Sequence, residues 1–488
     1  MRSIILIVLS VFLVSVVSNA QYKIKVKIDN YPNDTCVLGH TFGDKTYIDQ
    51  KLTKPNKKGE FIFEGEESLP GGMYVILVKP QNVYFQFLIS DDEDQKDISI
   101  YTKIEKNVNA DLNDNLKIEN SPDNEAFLDY KKFLLGLRDK ATNYRTKMDE
   151  AKAKENKEEE EKWLEKLKGL DGEVKKYHKN LVDKHPNFLT TRIVKANEQV
   201  EVPKEIQETP EKVNAYYRAH FWDNMNWEDD RLVRSTIFKE KLDFFIDKLS
   251  YQVPDSLIQS CDFVLQKTLK AGEKGKEYFK YAAIRLLNKY ANSKVICMDK
   301  VYVHLAENYY CNGLSEWVDS AQLVKICDDA ARLKPLCCNE VGPDIILQNV
   351  LDQKPVQMHA IKAKFTAVYF WDPKCNNCSK NSKALIPVYE KYKDKGFEIY
   401  GICSKNLKEI EKCKEKIDEL KMPWINTTGD AYTHAWAKKN YDIQYNPFMY
   451  LLDEEKRIMW KRITPDQLDN ILKHEFERLE KEAEEGKK

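Results

Sequence analysis

Two cysteines three positions apart, Cys375 and Cys378, are the residues of this chain whose types and spacing could do redox chemistry. The apolar run 365–370 that leads to them is typical of a buried strand. After them, apolar residues recur with helical spacing, at Ala384, Leu385, Val388, Tyr389 and Tyr392. We therefore expect the pair at a strand-to-helix turn, where free N–H groups and the helix dipole favour a thiolate at Cys375. Two intervening residues leave Cys378 close enough to close a disulfide.

A single pair of cysteines could instead supply half of a zinc site. Zinc normally needs four nitrogen or sulfur ligands, usually from two such pairs. No second Cys-x-x-Cys exists, since Cys403 and Cys413 are ten residues apart and Cys337 and Cys338 are adjacent. The spacing therefore favours redox chemistry and predicts no metal. A pair that keeps the fold but is redox-inert stays open as an alternative.

The segments that must position the cysteines follow in order along the chain. They are the lead-in Phe370-Trp371, a strand at 397–402, a Lys- and Glu-rich helix, Trp424–Asn426, the segment 441–453, a strand at 457–461 and a helix opened by Thr464-Pro465-Asp466. Together they resemble a TlpA-like domain, the thioredoxin-fold type of membrane-side or periplasmic thiol-disulfide oxidoreductases in Gram-negative bacteria. The resemblance covers roughly the last 150 residues, a typical domain size.

The resemblance implies a role for five residues. Cys375 would be the nucleophile, and the more buried Cys378 would resolve the mixed disulfide. Pro447 stands where the family has a cis-proline that faces the disulfide, a conformation uncommon enough to imply a purpose. Asn446 would offer backbone hydrogen bonds to a substrate, and Trp371 would pack beside the motif. No cofactor is implied.

This chain departs from the family pattern at several positions. Asn376 and Asn377 stand between the cysteines, where the family usually has Gly or Glu followed by Pro or His, so the redox potential cannot be transferred from relatives. Asn381 replaces a glutamate that serves in proton transfer, and Tyr369 stands where thioredoxins proper have a buried aspartate. Lys383 replaces a helical proline. Assisted deprotonation of the second thiol is therefore not implied.

Other residues near the motif offer little further chemistry. Pro373 lies too close to Cys375 for the peroxiredoxin pattern, in which a proline and a Thr or Ser precede the reactive cysteine at fixed positions. Lys374 and Lys380 flank the motif and could favour a thiolate, although flanking lysines are more often simply solvated. His359 and His434 belong to the same domain, but nothing in their sequence context places either beside Cys375.

The N-terminus has the pattern of a secretory signal. Arg2 supplies a positive charge, residues 4–17 are apolar, and Ser18–Ala20 are small. This stretch is short for a membrane span, although an N-terminal anchor stays open as an alternative. No other stretch is apolar over the width of a membrane. We therefore expect cleavage near Ala20 and a mature, periplasmic chain without a membrane span.

Charge and cysteine content limit the possible functions. The 488 residues carry 78 basic and 79 acidic side chains, so no overall positive charge indicates nucleic-acid binding. Eleven cysteines are present, an odd number, so at least one is unpaired or intermolecular. Of the nine outside the motif, most are expected to be buried apolar residues, although some could pair in an oxidising compartment. A disulfide between the adjacent Cys337 and Cys338 is disfavoured by its geometry.

The first hundred or so residues after the predicted signal have strand patterning. Alternating apolar and lysine residues from Lys23 to Ile28 predict a half-buried strand, and further strands follow, separated by turn residues. The predicted strands lie at 45–49, 59–63, 73–78, 84–89 and 97–101. We predict an antiparallel β-sandwich at 21–105, which resembles an uncharacterised β-domain found before TlpA-like modules.

A central all-α region is predicted at 118–338. Ser121-Pro122-Asp123 opens it with a cap and a first-turn proline, and residues 147–168 are typical of an exposed helical hairpin. Its aromatic-rich second half resembles another uncharacterised family found in the same proteins. His220 with Asp223, or His304 with Glu307, could ligate a metal only if two pairs converged, and a helical repeat explains these residues more simply.

The sequence as a whole predicts an enzyme of three domains. A thioredoxin-like domain at 340–480 and a charged tail at 481–488 follow the signal peptide at 1–20, the β-domain and the helical region. The predicted function is an extracytoplasmic thiol-disulfide oxidoreductase acting on protein thiols and disulfides, which as a reductant would need a membrane electron donor. The alternative is a non-catalytic periplasmic interaction or sensor protein with a structural or regulatory disulfide.

Overall fold

A computed structural model describes residues 20–31, 35–79, 82–90 and 95–485. The predicted signal peptide, apart from Ala20, lies outside these residues. The chain divides into two compact units, one within Met1–Ser250 and Gln266–Tyr281, the other within Tyr251–Leu265 and Ala282–Lys488. Within the described residues, no helix is long and apolar enough to cross a membrane.

The first unit begins with two four-stranded β-sheets. The strands and one short helix are β1 (Tyr22–Asp29), β2 (Cys36–Phe42), β3 (Lys45–Leu52), β4 (Glu60–Gly65), β5 (Gly72–Val78), β6 (Val83–Ile89), β7 (Ile98–Lys103), α1 (Val108–Asp114) and β8 (Lys117–Glu119). One sheet has the order β4-β1-β7-β8 and the other β3-β2-β5-β6. Apolar side chains from both sheets, such as Val26 of β1 and Ile76 of β5, form one buried cluster.

The prediction of wholly antiparallel pairing is wrong at one place, because β1 and β7 run parallel, with Ile24 opposite Ile98. These strands are distant in sequence, so no hairpin turn sets their direction. The sequence also missed β2, since most of its residues are buried and the alternation that reveals a half-buried strand is absent.

Helices make up the central region. They are α2 (Pro122–Ala153), α3 (Lys157–Lys184), α4 (Leu189–Ala196), α5 (Pro210–His220), α6 (Ile237–Phe244), α7 (Pro254–Lys270), α8 (Lys276–Ala291), α9 (Asp299–Leu305) and α10 (Ser320–Leu333). Short 3-10 or π turns lie at Lys204–Ile206, Asp230–Arg234, Phe245–Leu249, Gly272–Gly275, Ala306–Tyr310 and Lys334–Leu336. The charge-rich stretch forms the tip of a hairpin of α2 and α3, where Tyr144 and Trp163 pack with ring centroids 5.7 Å apart.

The C-terminal part is an α/β domain built on one seven-stranded sheet. Its strands and helices are β9 (Ile346–Asn349), β10 (Pro355–Gln357), β11 (Phe365–Trp371), α11 (Asn376–Tyr392), β12 (Phe397–Cys403), α12 (Ile410–Leu420), β13 (Ile425–Thr428), α13 (Ala431–Asn440), β14 (Phe448–Leu452), β15 (Ile458–Lys461) and α14 (Pro465–Glu485). Short 3-10 turns lie at Met358–Ala360, Lys393–Lys395 and Leu407–Glu409. The strand order is β10-β9-β13-β12-β11-β14-β15. The predicted final helix begins at Pro465, and it extends into the predicted charged tail.

Every residue of the central strand β11 is buried. Its side chains alternate between two apolar clusters, with Tyr369 and Trp371 in one and Val368 and Phe370 in the other. Such burial on both faces requires helices on both sides of the sheet, which is why the strand reads as a continuous apolar run.

Three disulfides correct the expectation that most cysteines outside the motif are buried apolar residues. The bonds are Cys297–Cys338, Cys311–Cys327 and Cys403–Cys413. Cys36, Cys261 and Cys337 are free and buried. The pairing could not be predicted, because a disulfide requires Cα atoms within about 7 Å. That proximity is set by packing rather than by sequence spacing.

Of the two histidine pairs considered as metal ligands, His220 with Asp223 forms and His304 with Glu307 does not. His220 Nδ1 lies 2.6 Å from an Asp223 carboxylate oxygen. His304 Nε2 instead contacts Asp262 at 2.8 Å, while Glu307 pairs with Lys334. Among the described residues, no group of three or more His, Cys, Asp or Glu side chains is arranged to hold a metal ion.

Candidate functional site

The two motif cysteines lie at the junction of β11 and α11, the strand-to-helix turn that the sequence predicts. Cys375 is the N-cap of the helix, and its sulfur accepts a hydrogen bond from the Cys378 N–H at 3.1 Å. The sulfur thus takes the place of the side-chain oxygen that usually caps a helix. A free N–H group and the helix dipole are both directed at the position where negative charge would develop on Cys375.

The two thiols are free and differ in access to solvent. Cys375 is half-buried, whereas Cys378 is only 1% exposed. Burial, and after it a hydrogen bond to Cys375, raises the pKa of Cys378 to about 12. One cysteine is therefore accessible to a large partner, and the other is kept protonated behind it.

Two groups on β11 and the following turn contact Cys378. The Asp372 N–H donates to Cys378 Sγ at 3.4 Å. The Tyr369 hydroxyl donates to the Cys378 carbonyl oxygen at 3.2 Å and lies 3.1 Å from the Ser382 hydroxyl oxygen. Burial raises the pKa of Tyr369, so this hydroxyl stays neutral at ordinary pH. Tyr369 therefore fixes the backbone of the helix start and is not a proton acceptor.

Pro447 and Asn446 come to the motif through strand pairing. β14 runs antiparallel to β11 with Phe370 opposite Phe448, so the residues before β14 meet the residues after β11. The Asn446–Pro447 peptide bond is cis. The Cys375 thiol donates to the Asn446 carbonyl oxygen at 3.7 Å. The structure therefore brings Asn446 into direct contact with the half-buried cysteine.

Trp371 lies inward of the motif rather than on its surface. It is buried in the same apolar cluster as Cys378 and Cys403. Its indole N–H has no hydrogen-bond partner within the part of the chain that the structure describes. Trp371 thus contributes packing to the base of the site.

Sequence reasoning missed Asp372, the residue between Trp371 and the turn. Its carboxylate accepts the Lys374 N–H at 2.7 Å and the Ser404 hydroxyl, and it pairs with Lys405 at 3.0 Å. Burial alone would raise its pKa, but the hydrogen bonds from Ser404 and Lys374 and the Lys405 ammonium together lower it. Asp372 is therefore a fixed negative charge. Its position directly before the motif was the available signal, whereas its partner lies 33 residues further along the chain.

The flanking lysines and the histidines are outside the contacts of the cysteines. Lys374 and Lys380 are exposed and form no ion pair with any described residue. His359 Nε2 lies 2.8 Å from the Gly342 carbonyl oxygen, and His434 Nε2 lies 3.1 Å from the Cys403 carbonyl oxygen. Neither histidine is hydrogen-bonded to Cys375 or Cys378.

The helical part of the chain and the α/β part match different protein families. Residues 339–461 match the AhpC/TSA family. The C-terminal domain is a thioredoxin-fold domain. Residues 147–334 match a domain of unknown function, DUF5106, so the expectation of an uncharacterised helical domain before the thioredoxin-fold domain is confirmed.

Curated relatives match the thioredoxin-fold domain, and those called ResA are thiol-disulfide oxidoreductases by name. The protein ResA of Bacillus cereus is 26% identical over 134 residues, which are 27% of this chain and 74% of the relative. The protein DipZ of Mycobacterium bovis is 27% identical over 145 residues, 28% of this chain and 19% of the relative.

Solved structures match the same part of the chain. The thioredoxin domain of a thiol-disulfide oxidoreductase from Bacteroides vulgatus is 29% identical and covers 28% of this chain and 96% of its own, with a TM-score of 0.27. A thioredoxin-like protein from Bacteroides caccae is 19% identical and covers 56% of this chain and 97% of its own, with a TM-score of 0.41.

Proposed function

We propose that this protein is an extracytoplasmic thiol-disulfide oxidoreductase that exchanges disulfides with other proteins through Cys375 and Cys378. The observation that carries the proposal is the 3.1 Å hydrogen bond from the Cys378 N–H to the Cys375 sulfur at the start of α11. It joins an accessible thiol to a buried one in a geometry that stabilises negative charge on the accessible sulfur. The name of the curated ResA relatives, thiol-disulfide oxidoreductase, supports the same reaction.

The exchange proceeds in two displacement steps. The Cys375 thiol loses its proton to solvent, and the thiolate attacks one sulfur of a client disulfide, which releases the other client sulfur as a thiolate. Cys378 then loses its proton, and its sulfur attacks Cys375 Sγ and displaces the second client sulfur. Two electrons pass from the cysteine pair to the client, and each released thiolate takes up a proton. Oxidation of a client follows the same steps in reverse.

Three neighbours assist this exchange. Asn446 lies against Cys375 and offers backbone hydrogen bonds to an extended client segment, and Pro447 keeps the backbone at this point open to it. Trp371 supports the base of the site by packing. The substrates are protein thiols and disulfides, and a chain that acts as a reductant requires an electron donor in the membrane.

The remaining sequence expectations belong to the same proposal. Residues 1–20 are a signal peptide that directs the chain to the periplasm. The domain boundaries are 21–105, 118–338 and 340–480, with a tail at 481–488. The two N-terminal sheets form a β-sandwich, a proposal supported by the apolar cluster that they share.

Cysteine variants test the reaction directly. We expect Cys375→Ser to abolish exchange with a protein disulfide, and Cys378→Ala to accumulate mixed disulfides through Cys375, both measured by non-reducing electrophoresis. Cys36→Ala is the matched control, since Cys36 is a free, buried cysteine of the first unit. Unchanged exchange in Cys375→Ser would overturn the proposal.

A second function, a binding protein with a structural disulfide, is favoured by the three other disulfides, which show that this chain uses such bonds. The reduction potential of the Cys375–Cys378 pair separates the two functions. A reductant is expected near roughly −270 mV, a disulfide donor near about −120 mV, and a structural bond below about −300 mV. Equilibration of the protein in redox buffers with quantification of free thiols measures this value.

A further inference from the structure

The buried cysteine of the pair has a charged neighbour that the exchange steps above do not use. Asp372 donates its N–H to Cys378 Sγ, so its backbone is in contact with the sulfur that must lose a proton in the second step. Its carboxylate is held on one oxygen by the Lys374 N–H and on the other by Ser404 and Lys405. Both side chains of the Asp372–Lys405 pair are about one-fifth exposed, so solvent screens their charges only in part.

The partners of Asp372 are fixed by the end of β12. Trp371 lies opposite Cys403 in the parallel pairing of β11 and β12, and the Ser404 N–H donates to the Trp371 carbonyl oxygen at 2.7 Å. The Cys403–Cys413 disulfide then joins this strand end to α12. Ser404 and Lys405 directly follow the cross-linked Cys403, so the disulfide helps to hold them beside Asp372.

Other titratable groups near Cys378 and near Lys405 have to be considered. Within the described part of the chain, Cys375 and Tyr369 are the other titratable residues hydrogen-bonded to Cys378, and both are neutral when protonated. Lys405 also acts on Glu409, whose pKa is lowered first by Lys412 and in smaller part by Lys405 and Lys374. It acts weakly on His434, whose pKa is lowered mainly by burial.

We propose that Asp372 and Lys405 form a charge pair that controls how readily Cys378 loses its proton when it resolves the mixed disulfide. Asp372 is thus a positioning residue, since it acts through Cys378 and does not touch the client. This inference rests on the proposed exchange reaction and assigns a regulator to its second step.

The two members of the pair act with opposite sign. The Asp372 carboxylate repels a thiolate on Cys378, which raises the pKa of that thiol in addition to the larger effect of burial. The Lys405 ammonium cancels part of this repulsion. The Asp372 N–H donates to the sulfur and favours the thiolate, and this contact is kept when only the side chain is changed.

The test uses the reduced full-length protein and 5,5′-dithiobis(2-nitrobenzoate). Attack by Cys375 releases one coloured thiolate and leaves a mixed disulfide, and attack by Cys378 then releases the second. The rate of the second release is measured against pH for wild type, Asp372→Asn and Lys405→Gln. Each change removes one charge and keeps a polar side chain of similar size, although Asn at position 372 can accept hydrogen bonds on only one of the two oxygen positions.

We expect the second release to be at least about threefold faster in Asp372→Asn and at least about threefold slower in Lys405→Gln, which corresponds to moving the pH–rate profile by about half a pH unit in opposite directions. Lys391→Gln is the matched control, because it removes an exposed charge from the far end of α11, where Lys391 pairs with Asp469, and should leave the second release unchanged. Ser404→Ala, which removes a neutral contact, should shift the profile slightly in the same direction as Lys405→Gln.

Shifts of the same sign in Asp372→Asn and Lys405→Gln would mean that both residues are only structural, and equal profiles in all variants would mean that the pair has no effect. Either result overturns the charge-pair proposal. If Lys405→Gln does not fold, judged by circular dichroism, the signs for Asp372→Asn and Ser404→Ala decide it. A wild-type protein that shows no second release contradicts the exchange function itself and is thereby distinguished from failure of the charge pair.

Discussion

At the scale of single residues, the two cysteines owe their difference to position on one helix. Cys375 precedes the first turn and stays half-buried, whereas Cys378 points into the apolar cluster under β11. Burial of a thiol disfavours its charged form, so the resolving step depends on whatever electrostatic help the surroundings offer. Tyr369 stands at the position where thioredoxins proper carry a buried acid, and it cannot give that help because its pKa is raised by burial.

The variant Tyr369→Phe should therefore lower the stability of the fold without changing the pH dependence of disulfide exchange. Removing the hydroxyl loses hydrogen bonds to the Cys378 carbonyl and to Ser382, which should cost about 0.5–1.5 kcal/mol of stability. Since a group with a raised pKa stays protonated through neutral pH, the pH–rate profile of exchange should not move. Urea unfolding and the pH profile together measure both effects, and a displaced profile would show that Tyr369 takes part in proton transfer.

At the scale of elements, the turn before helix α11 and the first half of that helix carry only positive charge. Between Asp372 and Glu390 the sequence has three lysines, Lys374, Lys380 and Lys383, and no acidic residue. All three are exposed and have no ion-pair partner in the described ranges. Lys380 and Lys383 are three residues apart and share a face of the helix with Asn376, next to Cys375. A client with acidic residues around its cysteine would be attracted to this face.

We expect exchange with an acidic peptide disulfide to be several-fold faster than with a basic one at low salt, with the preference lost at high ionic strength because salt screens exposed charges. Replacing Lys374, Lys380 and Lys383 with Gln should remove the preference. Lys391→Gln is the matched control, since Lys391 lies at the far end of α11 and pairs with Asp469. Alkylation by the neutral reagent iodoacetamide serves to detect any change in thiolate formation, and an equal preference in the triple variant would contradict the prediction.

At the scale of the whole molecule, the second unit joins helical and α/β segments that are distant in sequence. The Cys297–Cys338 disulfide links the segment just before α9 to the residues that lead into the thioredoxin-fold domain. Nearby, Lys461 of β15 contacts Asp299 of α9 and donates to the Leu336 carbonyl oxygen at 2.6 Å. The Lys461 side chain is only 7% exposed, so these partners take the place of solvent around its ammonium group.

Breaking this ion pair from one side should destabilise the second unit. Asp299→Leu leaves the Lys461 ammonium buried without its counter-charge and should cost about 2–4 kcal/mol, somewhat below the value for a fully buried pair because Asp299 keeps some solvent contact. The double variant Asp299→Leu/Lys461→Met removes both charges and should lie closer to wild type. Urea unfolding followed by tryptophan fluorescence measures the difference, and a double variant less stable than Asp299→Leu would contradict this account.

The parts of this protein that depend on local pattern could be predicted from the amino-acid sequence alone. The buried run of β11, the change to helical spacing after it and the position of the cysteines between them were sufficient to place Cys375 at the start of a helix, because strand and helix periodicity act over a few residues. The helix start at Pro465 was predicted from a cap, a proline and an acidic residue for the same reason.

Contacts between residues distant in sequence are set by the fold and not by local pattern. Four kinds of contact join residues separated by ten to 162 positions. They are the parallel pairing of β1 with β7, the three disulfides, the contact of Asp372 with Lys405 and the contact of Lys461 with Asp299. No local pattern encodes such contacts, because the residue type of a lysine, an aspartate or a cysteine does not specify which distant residue will be its partner. Their geometry follows from how strands align and helices pack around the buried apolar clusters, which is a property of the folded chain as a whole.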